Sequence, residues 1–595
     1  MIELVESRVP ISAYAIPDSV LHQRTRIGLY SIFRLFICFH NQNRLLTNSS
    51  PIKSSRPAPL PTNPQTSYPL GMQTQPAIAV LLSAFLALSG CAKAPSDKAL
   101  VDPLDPVDTT DTVKAAQSEP EPIALEIAPD QFNGETQPIP RTPIAPITLD
   151  GDFADWNQTN TARADGRYIY IHFSPQGEPP HAIQAAPYTT RLRLNADDND
   201  ATGRQMTSMN IEAAIQEPQG VDLLIELSPP NELGSIGIGA QVTDYADSEN
   251  PKQIGHAGLG FMCLPTFGST QYEARLDRFA PGATRLQKKG TVELTIDQVD
   301  AEGAFLWSTT MRVELPELAP VNTPIASIPA KPAESVRVMS ANVLYSSPLE
   351  NPGPFDRVLG AIAPDVILYQ EWFKTESTKV DAWLKEYAGP DWTLHMPNDQ
   401  AGVAIATRHP IIERYDSVIP SSGTGRPARA VAALIDTDAG ELLAISIHLK
   451  CCGSAGSEED NKRIAQAQAI NSFVREVHQN HPQAKVVIAG DFNLVGSYIP
   501  MDTMADSLGM HGEDLSVVHA QQLGNQAMIT WNDEKSRFSP GRLDWMLIDE
   551  SMSTAHNAFI LDTRSFSIDA LEELGLEADD SKASDHLPIV MDLSD

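Results

Sequence analysis

A proline-rich stretch at residues 316–334 divides this chain of 595 residues into two regions with different hydrophobic patterns. Over residues 147–315, short apolar runs alternate with polar residues at period two and are broken by Gly, Pro, Asn and Asp. Over residues 335–595, apolar β-branched runs alternate with longer stretches of helical spacing. The first pattern predicts an all-β sandwich, and the second predicts a layered α/β domain. The proline-rich stretch itself is predicted to be a semi-rigid linker.

The amino-terminal region carries a targeting pattern. A short apolar run at residues 77–88 ends in the small residues of LSGC at 88–91, which predicts a secretory signal. This ending resembles the bacterial lipobox, which implies a signal peptide at 72–90 and lipidation of Cys91. The expected location is the bacterial cell envelope, lipid-anchored and either periplasmic or surface-exposed. Residues 1–71 are then a mis-assigned start, or a presequence with its own apolar run at 27–39.

Composition limits the partners of the mature chain. Residues 91–146 are rich in Pro, Asp, Glu and Thr and poor in aromatic residues, so we expect a disordered tether. The whole chain has 43 basic and 76 acidic residues, a net charge of −33. This charge disfavours non-specific binding to nucleic acid, which needs basic residues on phosphates. It also disfavours docking on anionic lipid, so membrane contact is expected through the lipid anchor only.

The predicted sandwich begins with ITLDGDFADW at residues 147–156, which is similar to the start of DOMON-like and family 9 carbohydrate-binding modules. The resemblance implies a glycan as a candidate ligand, although Trp156 is expected in the core. An acidic turn follows at residues 195–203 (NADDNDATG). Its oxygen atoms suit Ca²⁺, and the alternative is an Asx turn in which Asp and Asn bind their own backbone.

In the carboxy-terminal region, polar motifs stand at the ends of the predicted strands. They are SAN at 340–342, YQE at 369–371, SIHL at 446–449, GDFN at 490–493, RLDW at 542–545 and SDH at 584–586. Carboxylates supply ligands for Mg²⁺ or Mn²⁺, histidines transfer protons, and Asn side chains stabilise charge on oxygen. No serine nucleophile elbow, zinc-protease motif or phosphate-binding Gly-Lys loop is present. The set predicts metal-assisted hydrolysis of a phosphate ester.

The order of these motifs resembles the endonuclease/exonuclease/phosphatase superfamily over residues 335–595. The resemblance implies a two-sheet, DNase I-like α/β sandwich with Mg²⁺ (or Mn²⁺) as cofactor. It implies that Glu371 is the principal metal ligand, helped by Asn342. Asp491 would orient or deprotonate the attacking water, and Asn493 would hold a phosphate oxygen.

The same resemblance assigns the remaining motifs. His586 would sit against the phosphoryl group, oriented by Asp544. Asp585 would be either a second metal contact or a support for the site. His448 would assist the leaving group or bind phosphate, and its carboxylate partner is not identified by the sequence.

Two further features lie near these motifs. Arg426 and Arg429 are candidates for binding the substrate phosphate, with solvated strand residues as the alternative. The vicinal pair Cys451 and Cys452 follows His448 closely. In an oxidising compartment we expect a vicinal disulfide, and a link from either cysteine to Cys263 is the alternative.

The predicted function is therefore an envelope-anchored, metal-dependent phosphoesterase. Residues 331–595 hold 20 basic and 39 acidic residues, which weakens the case for a nuclease without removing it. A phosphodiesterase, a nuclease and a lipid or inositol-phosphate hydrolase all fit the motifs. The alternative from another class is a surface binding lipoprotein whose sandwich recognises glycan and whose carboxy-terminal domain is catalytically silent.

Overall fold

The computed structural model describes residues 147–177, 180–205, 220–231, 234–320, 326–416, 418 and 429–595. The predicted signal peptide, the predicted lipidation site Cys91, the predicted acidic tether and Arg426 lie outside the described residues. Within the described ranges, no helix is both long enough and apolar enough to cross a membrane.

The described residues of the first domain form ten strands in two antiparallel sheets. One sheet has the order β1-β2-β8-β7 and the other has the order β10-β9-β3-β4-β5-β6. The strands are β1 Thr161–Ala164, β2 Tyr168–Phe173, β3 Thr189–Asn195, β4 Leu223–Leu227, β5 Ala240–Asp244, β6 Lys252–Gln253, β7 Met262–Leu264, β8 Tyr272–Asp277, β9 Gly290–Val299 and β10 Phe305–Leu315. Alternate residues of these strands form one apolar core between the sheets, as the period-two pattern predicts. Trp156 is 7% exposed and lies at the edge of the domain's interior.

The second domain contains thirteen strands and five α-helices among the described residues. The strands are β11 Val336–Asn342, β12 Val366–Gln370, β13 Thr393–His395, β14 Ala404–Thr407, β15 Ile411–Tyr415, β16 Ala430–Thr437, β17 Gly440–His448, β18 Lys485–Asp491, β19 Ser516–Val517, β20 Gln521–Gln522, β21 Asp544–Ile548, β22 Thr554–Ile560 and β23 Ile589–Ser594. The helices are α1 Pro352–Ile362, α2 Ser377–Tyr387, α3 Glu458–Asn480, α4 Ile499–Ala505 and α5 Ile568–Leu574.

These elements form a four-layered α/β sandwich, which confirms the predicted fold class. One mixed sheet has the order β13-β14-β12-β11-β23-β22-β20 and the other has the order β15-β16-β17-β18-β21-β19. Their facing sides share a core of Val, Ile, Leu, Ala and Met side chains. Helices α1, α2 and α5 cover the outer face of the first sheet, and α3 and α4 cover that of the second. Strands buried on both faces explain the continuous apolar runs in the sequence.

The strand pairing brings the polar motifs to one edge of the sandwich. β17 and β18 are parallel neighbours, and their last residues, His448 and Asp491, are paired. β21 runs antiparallel to β18, so that Asp544 at its start pairs with Asp491. In the other sheet, β11 and β12 are parallel, and Asn342 pairs with the residue before Glu371. The carboxyl ends of parallel strands meet at one edge, which is why distant motifs converge.

The two domains are in direct contact. Leu149 forms a parallel bridge with Ala527, and its backbone bonds to Gln526 and Met528 at 3.0 and 2.8 Å. A small apolar cluster that includes Leu264 and Ile529 closes this contact. The linker pattern in the sequence marked the two domains but gave no sign that they pack on each other.

Candidate active site

The candidate site lies where the ends of β12, β17, β18 and β21 meet the segment that leads into β23. One ligand atom each from Glu371, His448 and Asp491 lies within 4.8 Å of the others, and all three residues are buried. Among the described residues, this is the one group of His, Cys, Asp and Glu side chains with such spacing. The structure therefore brings together motifs that are separated by 120 residues in the sequence.

Glu371 is held by its neighbours in a defined orientation. Asn342 Nδ2 donates to Glu371 Oε1 at 3.1 Å, and the backbone N–H of Tyr345 donates to Oε2 at 3.0 Å. Glu371 has a φ of +67°, a left-handed conformation that a non-glycine residue adopts at a cost. Local strain of this kind is concentrated at functional sites, because the fold must over-determine it.

Burial dominates the electrostatics of the two central carboxylates. It raises the pKa of Glu371, which His586 and the amide of Asn342 lower in part. It also raises the pKa of Asp491 well above its ordinary range, against the attraction of His586 and with repulsion from Asp544 and Glu371. These carboxylates repel one another, and a bound divalent cation would offset that repulsion.

Asn493 is placed beside Asp491 by a tight turn after β18. Its backbone N–H donates to Asp491 Oδ1 at 2.9 Å, and its Nδ2 donates to Oδ2 at 2.9 Å and to the Leu449 carbonyl at 3.2 Å. Its φ of +49° is again left-handed. The sequence predicted that this amide holds a phosphate oxygen. In the structure its donors orient the Asp491 carboxylate, so a substrate oxygen would have to replace one of these acceptors.

The two histidines of the site differ in protonation. His586 Nδ1 lies 2.7 Å from Asp544 Oδ2, and its Nε2 lies 3.9 Å from Asp491 Oδ2. Burial opposes charge on this ring, but Asp544 and Asp491 raise the pKa of His586 well above its usual value. His448 Nε2 lies 3.5 Å from Asp491 Oδ2, which supplies the carboxylate neighbour that the sequence did not identify. Burial, the Arg429 guanidinium and His586 hold the pKa of His448 well below its usual value.

Asp585 uses its two oxygens differently. Trp531 Nε1 donates to Oδ2 at 3.0 Å, whereas Oδ1 is buried and has no hydrogen-bond partner among the described residues. The charge of Asp585 also contributes to raising the pKa of Glu371. Oδ2 fits a supporting role and Oδ1 fits a metal contact, so the structure is compatible with both roles that the sequence predicted for Asp585.

Arg429 lies beside the site and is 6% exposed. Its guanidinium carbon is 5.9 Å from the ring centroid of Phe373, which itself lies 5.6 Å from the His448 ring. Burial lowers the pKa of Arg429 to about 10, while Cys451 and Asp491 favour its charge. A buried guanidinium that still carries its charge is suited to a phosphate group. It is not the solvated strand residue that was the alternative.

The vicinal cysteines are both free in the structure, where the sequence predicts a disulfide, and that pairing stays a prediction. Their Sγ atoms are 2.8 Å apart, longer than the bond of about 2.05 Å in a disulfide. The contact with Cys452, together with Lys450 and Arg429, lowers the pKa of Cys451 to about 6 against the effect of burial. Cys263 is buried in the core of the sandwich, which gives no support to a link with either of them.

The predicted Ca²⁺ site is not supported, and the Asx-turn alternative accounts for the acidic turn. The side chain of Asn195 accepts from the backbone of Asn199 at 3.1 Å, and Asp197 accepts from the Thr202 hydroxyl at 2.9 Å. Asp198 pairs with Arg312. The acidic side chains of the turn are thus engaged separately instead of converging on one point.

Sequence reasoning missed several residues that shape the site. Thr530 Oγ1 accepts from the backbone N–H groups of Leu543 and Asp544 at 3.0 and 2.9 Å. Trp531 holds Asp585, and the Phe373 ring packs beside His448. These are an ordinary Thr and two aromatic residues that no motif includes, and only their spatial neighbours give them a role.

Comparison with known proteins supports the same assignment for the second domain. Residues 339–586 match the model of the Endonuclease/Exonuclease/phosphatase family, in agreement with the resemblance of the motifs. No curated protein matches the chain.

Solved structures similar to this chain include a beta toxin from Staphylococcus aureus with bound magnesium ions, at 19% identity and a TM-score of 0.32 over 44% of this chain and 100% of that chain. The 3′ phosphatase NExo from Neisseria bound to a product DNA hairpin has 19% identity and a TM-score of 0.32 over 43% and 98%. An endonuclease/exonuclease/phosphatase from Bacteroides vulgatus has 16% identity and a TM-score of 0.32 over 44% and 98%.

Proposed function

We propose that this chain is a metal-dependent phosphoesterase that hydrolyses a phosphate ester by attack of water. The observation that carries the proposal is the convergence of Glu371, Asp491 and His448 beside the His586–Asp544 pair. The family match over residues 339–586 supports it, because members of this family act on phosphate esters. The residues form a site with buried acids, one charged imidazole and one neutral imidazole, which is a set suited to phosphoryl transfer to water.

The donor set fits a hard divalent cation such as Mg²⁺ or Mn²⁺. Glu371 and Asn342 offer oxygen ligands, and the unpartnered Oδ1 of Asp585 offers another. A bound cation would compensate the buried carboxylates and stabilise negative charge on phosphate oxygens. His448 is the less suitable ligand for Mg²⁺, because imidazole prefers softer metals.

The protein residues divide the remaining work. Asp491 orients the attacking water and accepts its proton, with its carboxylate fixed by Asn493. Asp544 pairs with His586 Nδ1 and favours the charged form of the ring, which leaves the Nε2–H to donate to a phosphoryl oxygen. Arg429 is placed to bind the same anion, and neutral His448 is available to bind phosphate or to assist the leaving group.

Hydrolysis of bis-p-nitrophenyl phosphate and p-nitrophenyl phosphate tests this proposal. We expect turnover by the full chain with Mg²⁺, loss of turnover in EDTA and recovery when Mg²⁺ or Mn²⁺ is restored. Asp491→Asn should lower kcat by about a thousandfold, the scale of a lost general base. Asp436→Asn is the matched control, because it makes the same change from carboxylate to carboxamide at an exposed residue of β16, and it should leave kcat unchanged.

The class of ester is a separate part of the proposal. The net charge of −19 over residues 331–595 favours a small or lipid-linked phosphate ester over duplex nucleic acid. A panel of sphingomyelin, inositol phosphates, single-stranded DNA and RNA would distinguish these candidates. Higher rates on DNA or RNA than on sphingomyelin and inositol phosphates would contradict the proposed preference for small or lipid-linked esters.

The cell-envelope location rests on the sequence of residues 88–91 and is proposed on that ground alone. Glycan binding by the sandwich rests on the resemblance of residues 147–156 in the same way. Metabolic labelling with a radioactive fatty acid should label the wild-type chain and should not label a Cys91→Ser variant. Equal labelling of both proteins would exclude Cys91 as the acceptor.

A further inference from the structure

One loop of the sandwich domain lies on two loops of the α/β domain. This loop, residues 265–268, follows β7. The Thr266 hydroxyl donates to the carbonyls of Leu494 and Arg542 at 2.8 and 3.1 Å. The backbone N–H of Gly268 donates to the Gly496 carbonyl at 2.7 Å. A single hydroxyl proton thus joins two segments of the other domain that are 48 residues apart in the sequence.

Both segments carry residues of the candidate active site. Leu494 directly follows Asn493, which orients Asp491. Arg542 stands two residues before Asp544, which holds His586. The hydroxyl of Thr266 therefore fixes the spacing between the backbone that positions the base and the backbone that positions the charged imidazole.

The packing around Thr266 is close enough to make its shape important. The ring of Phe267 lies 4.7 Å from the ring of Tyr498 and 6.4 Å from that of Trp545, between the same two segments. A Cβ atom added at Gly541 would collide with Cγ2 of Thr266. The φ of Gly541 is not left-handed, so an alanine can adopt this backbone conformation without strain. The steric clash of the alanine is therefore with the Thr266 side chain.

A second contact of the sandwich domain supports the segment that carries His586. Leu149 forms a bridge with Ala527, and three and four residues further along the same segment Thr530 and Trp531 bond to Asp544 and Asp585. The backbone N–H of Leu587 donates to the Thr530 carbonyl at 2.7 Å, and Trp531 forms a bridge with His586. The sandwich thus supports both sides of the His586–Asp544 pair.

We propose that Thr266 is a positioning residue of the active site and that the sandwich domain is a part of the catalytic unit. This inference rests on the proposed phosphoesterase function. The sandwich acts through the backbone of residues 491–496 and 541–545 and does not touch the reacting atoms. Misplacement of catalytic groups by a fraction of an ångström lowers the rate of the chemical step without weakening binding of the substrate in proportion.

Removal of the hydroxyl is the first test. Thr266→Val keeps the shape of the side chain and leaves two backbone carbonyls without their donor. We expect kcat on bis-p-nitrophenyl phosphate to fall about tenfold with KM within about twofold. Thr266→Ser keeps the hydroxyl and should retain the wild-type kcat. Thr189→Val is the matched control, because it removes a buried hydroxyl bond to the Ser228 carbonyl inside the sandwich. It should leave kcat unchanged.

A double variant provides the second test. Gly541→Ala should lower kcat by pushing the 541–545 segment away from Thr266. Thr266→Ser removes the methyl group that the new Cβ meets, so the combined variant should recover at least half of the wild-type kcat. A double variant no faster than Gly541→Ala alone would overturn the proposal, as would a Thr266→Val enzyme with wild-type kcat.

Hydrogen–deuterium exchange separates this proposal from the proposed function. If the wild-type chain hydrolyses none of the phosphate esters, the proposed phosphoesterase function is wrong. Exchange alone then tests whether Thr266 positions the two backbone segments. Thr266→Val should then speed exchange in residues 491–496 and 541–545, whereas Thr266→Ser and Thr189→Val should not. Unchanged exchange in both segments would overturn the role of Thr266 whether or not the enzyme is active.

Discussion

Asp491 is the residue on which the site converges. His448 and His586 place their Nε2 atoms 3.5 and 3.9 Å from the same carboxylate oxygen. Burial holds one ring neutral, while Asp544 keeps the other one charged. One fold thus shifts the pKa values of two histidines in opposite directions within a single site, which is how acid and base roles are separated at one pH.

The charged state of His586 leads to a prediction about pH. Against the effect of burial, Asp544 raises the pKa of His586 well above its usual value, so the ring keeps its proton to higher pH than an ordinary imidazole. Asp544→Asn removes that attraction and lowers the pKa of His586. The alkaline limb of the kcat/KM profile should therefore move to lower pH, by one unit or more. An unchanged alkaline limb in this variant would show that His586 is not the group that titrates there.

At the scale of elements, the sequence predicted which strands carry the site but not how their ends are shaped. The motifs at Glu371, Asp491 and His586 could be assigned because a carboxylate or histidine after an apolar strand is visible in a linear pattern. The left-handed conformations at Glu371 and Asn493 could not, because neither residue type requires them. Both residues also form hydrogen bonds with partners distant in the chain, Glu371 with Asn342 and Asn493 with the Leu449 carbonyl, which no local pattern records.

The loop after β17 shows a second limit of the sequence. Adjacent cysteines in a presumed oxidising compartment favoured a disulfide, whereas the structure holds two thiols near Lys450 and Arg429. The contact with Cys452, together with Lys450 and Arg429, lowers the pKa of Cys451, which spacing alone does not reveal.

The number of free thiols in the chain can be measured. Residues 92–595 contain three cysteines, namely Cys263, Cys451 and Cys452. If all three are thiols, the chain without its signal and acylated Cys91 should react with three equivalents of a thiol reagent after unfolding without reductant. A count of one would restore the vicinal disulfide or a link to Cys263, and a non-reduced digest would distinguish these two.

At the scale of the whole molecule, the sandwich and the α/β domain share an interface instead of being held apart by a linker. Gln184 exchanges two hydrogen bonds with Ser539 at 2.9 Å, and Arg275 donates to Asn525 at 2.9 Å. The described residues all fall within one compact unit. The linker composition predicted two domains joined by a semi-rigid linker. The interface itself could not be predicted, because contacts between domains leave no periodic signal in the sequence.

This interface predicts cooperative unfolding. Calorimetry of the full chain should show one transition for the two domains, because unfolding of either domain exposes the shared cluster around Leu149 and Ile529. Ile529→Asp buries an unpaired charge in that cluster and should split or broaden the transition. Two well-separated transitions in the wild-type chain would contradict a shared unit and would weaken the positioning role of the sandwich.

Hydrolysis in water enriched in ¹⁸O tests the central claim most directly, since the claim is that water attacks phosphorus. With Mg²⁺ and bis-p-nitrophenyl phosphate, mass spectrometry should find one ¹⁸O in the p-nitrophenyl phosphate product and none in p-nitrophenol. The labelled product should form about a thousandfold more slowly with Asp491→Asn. Label in the phenol, or label in the phosphate product that forms equally well without Asp491, would contradict the mechanism.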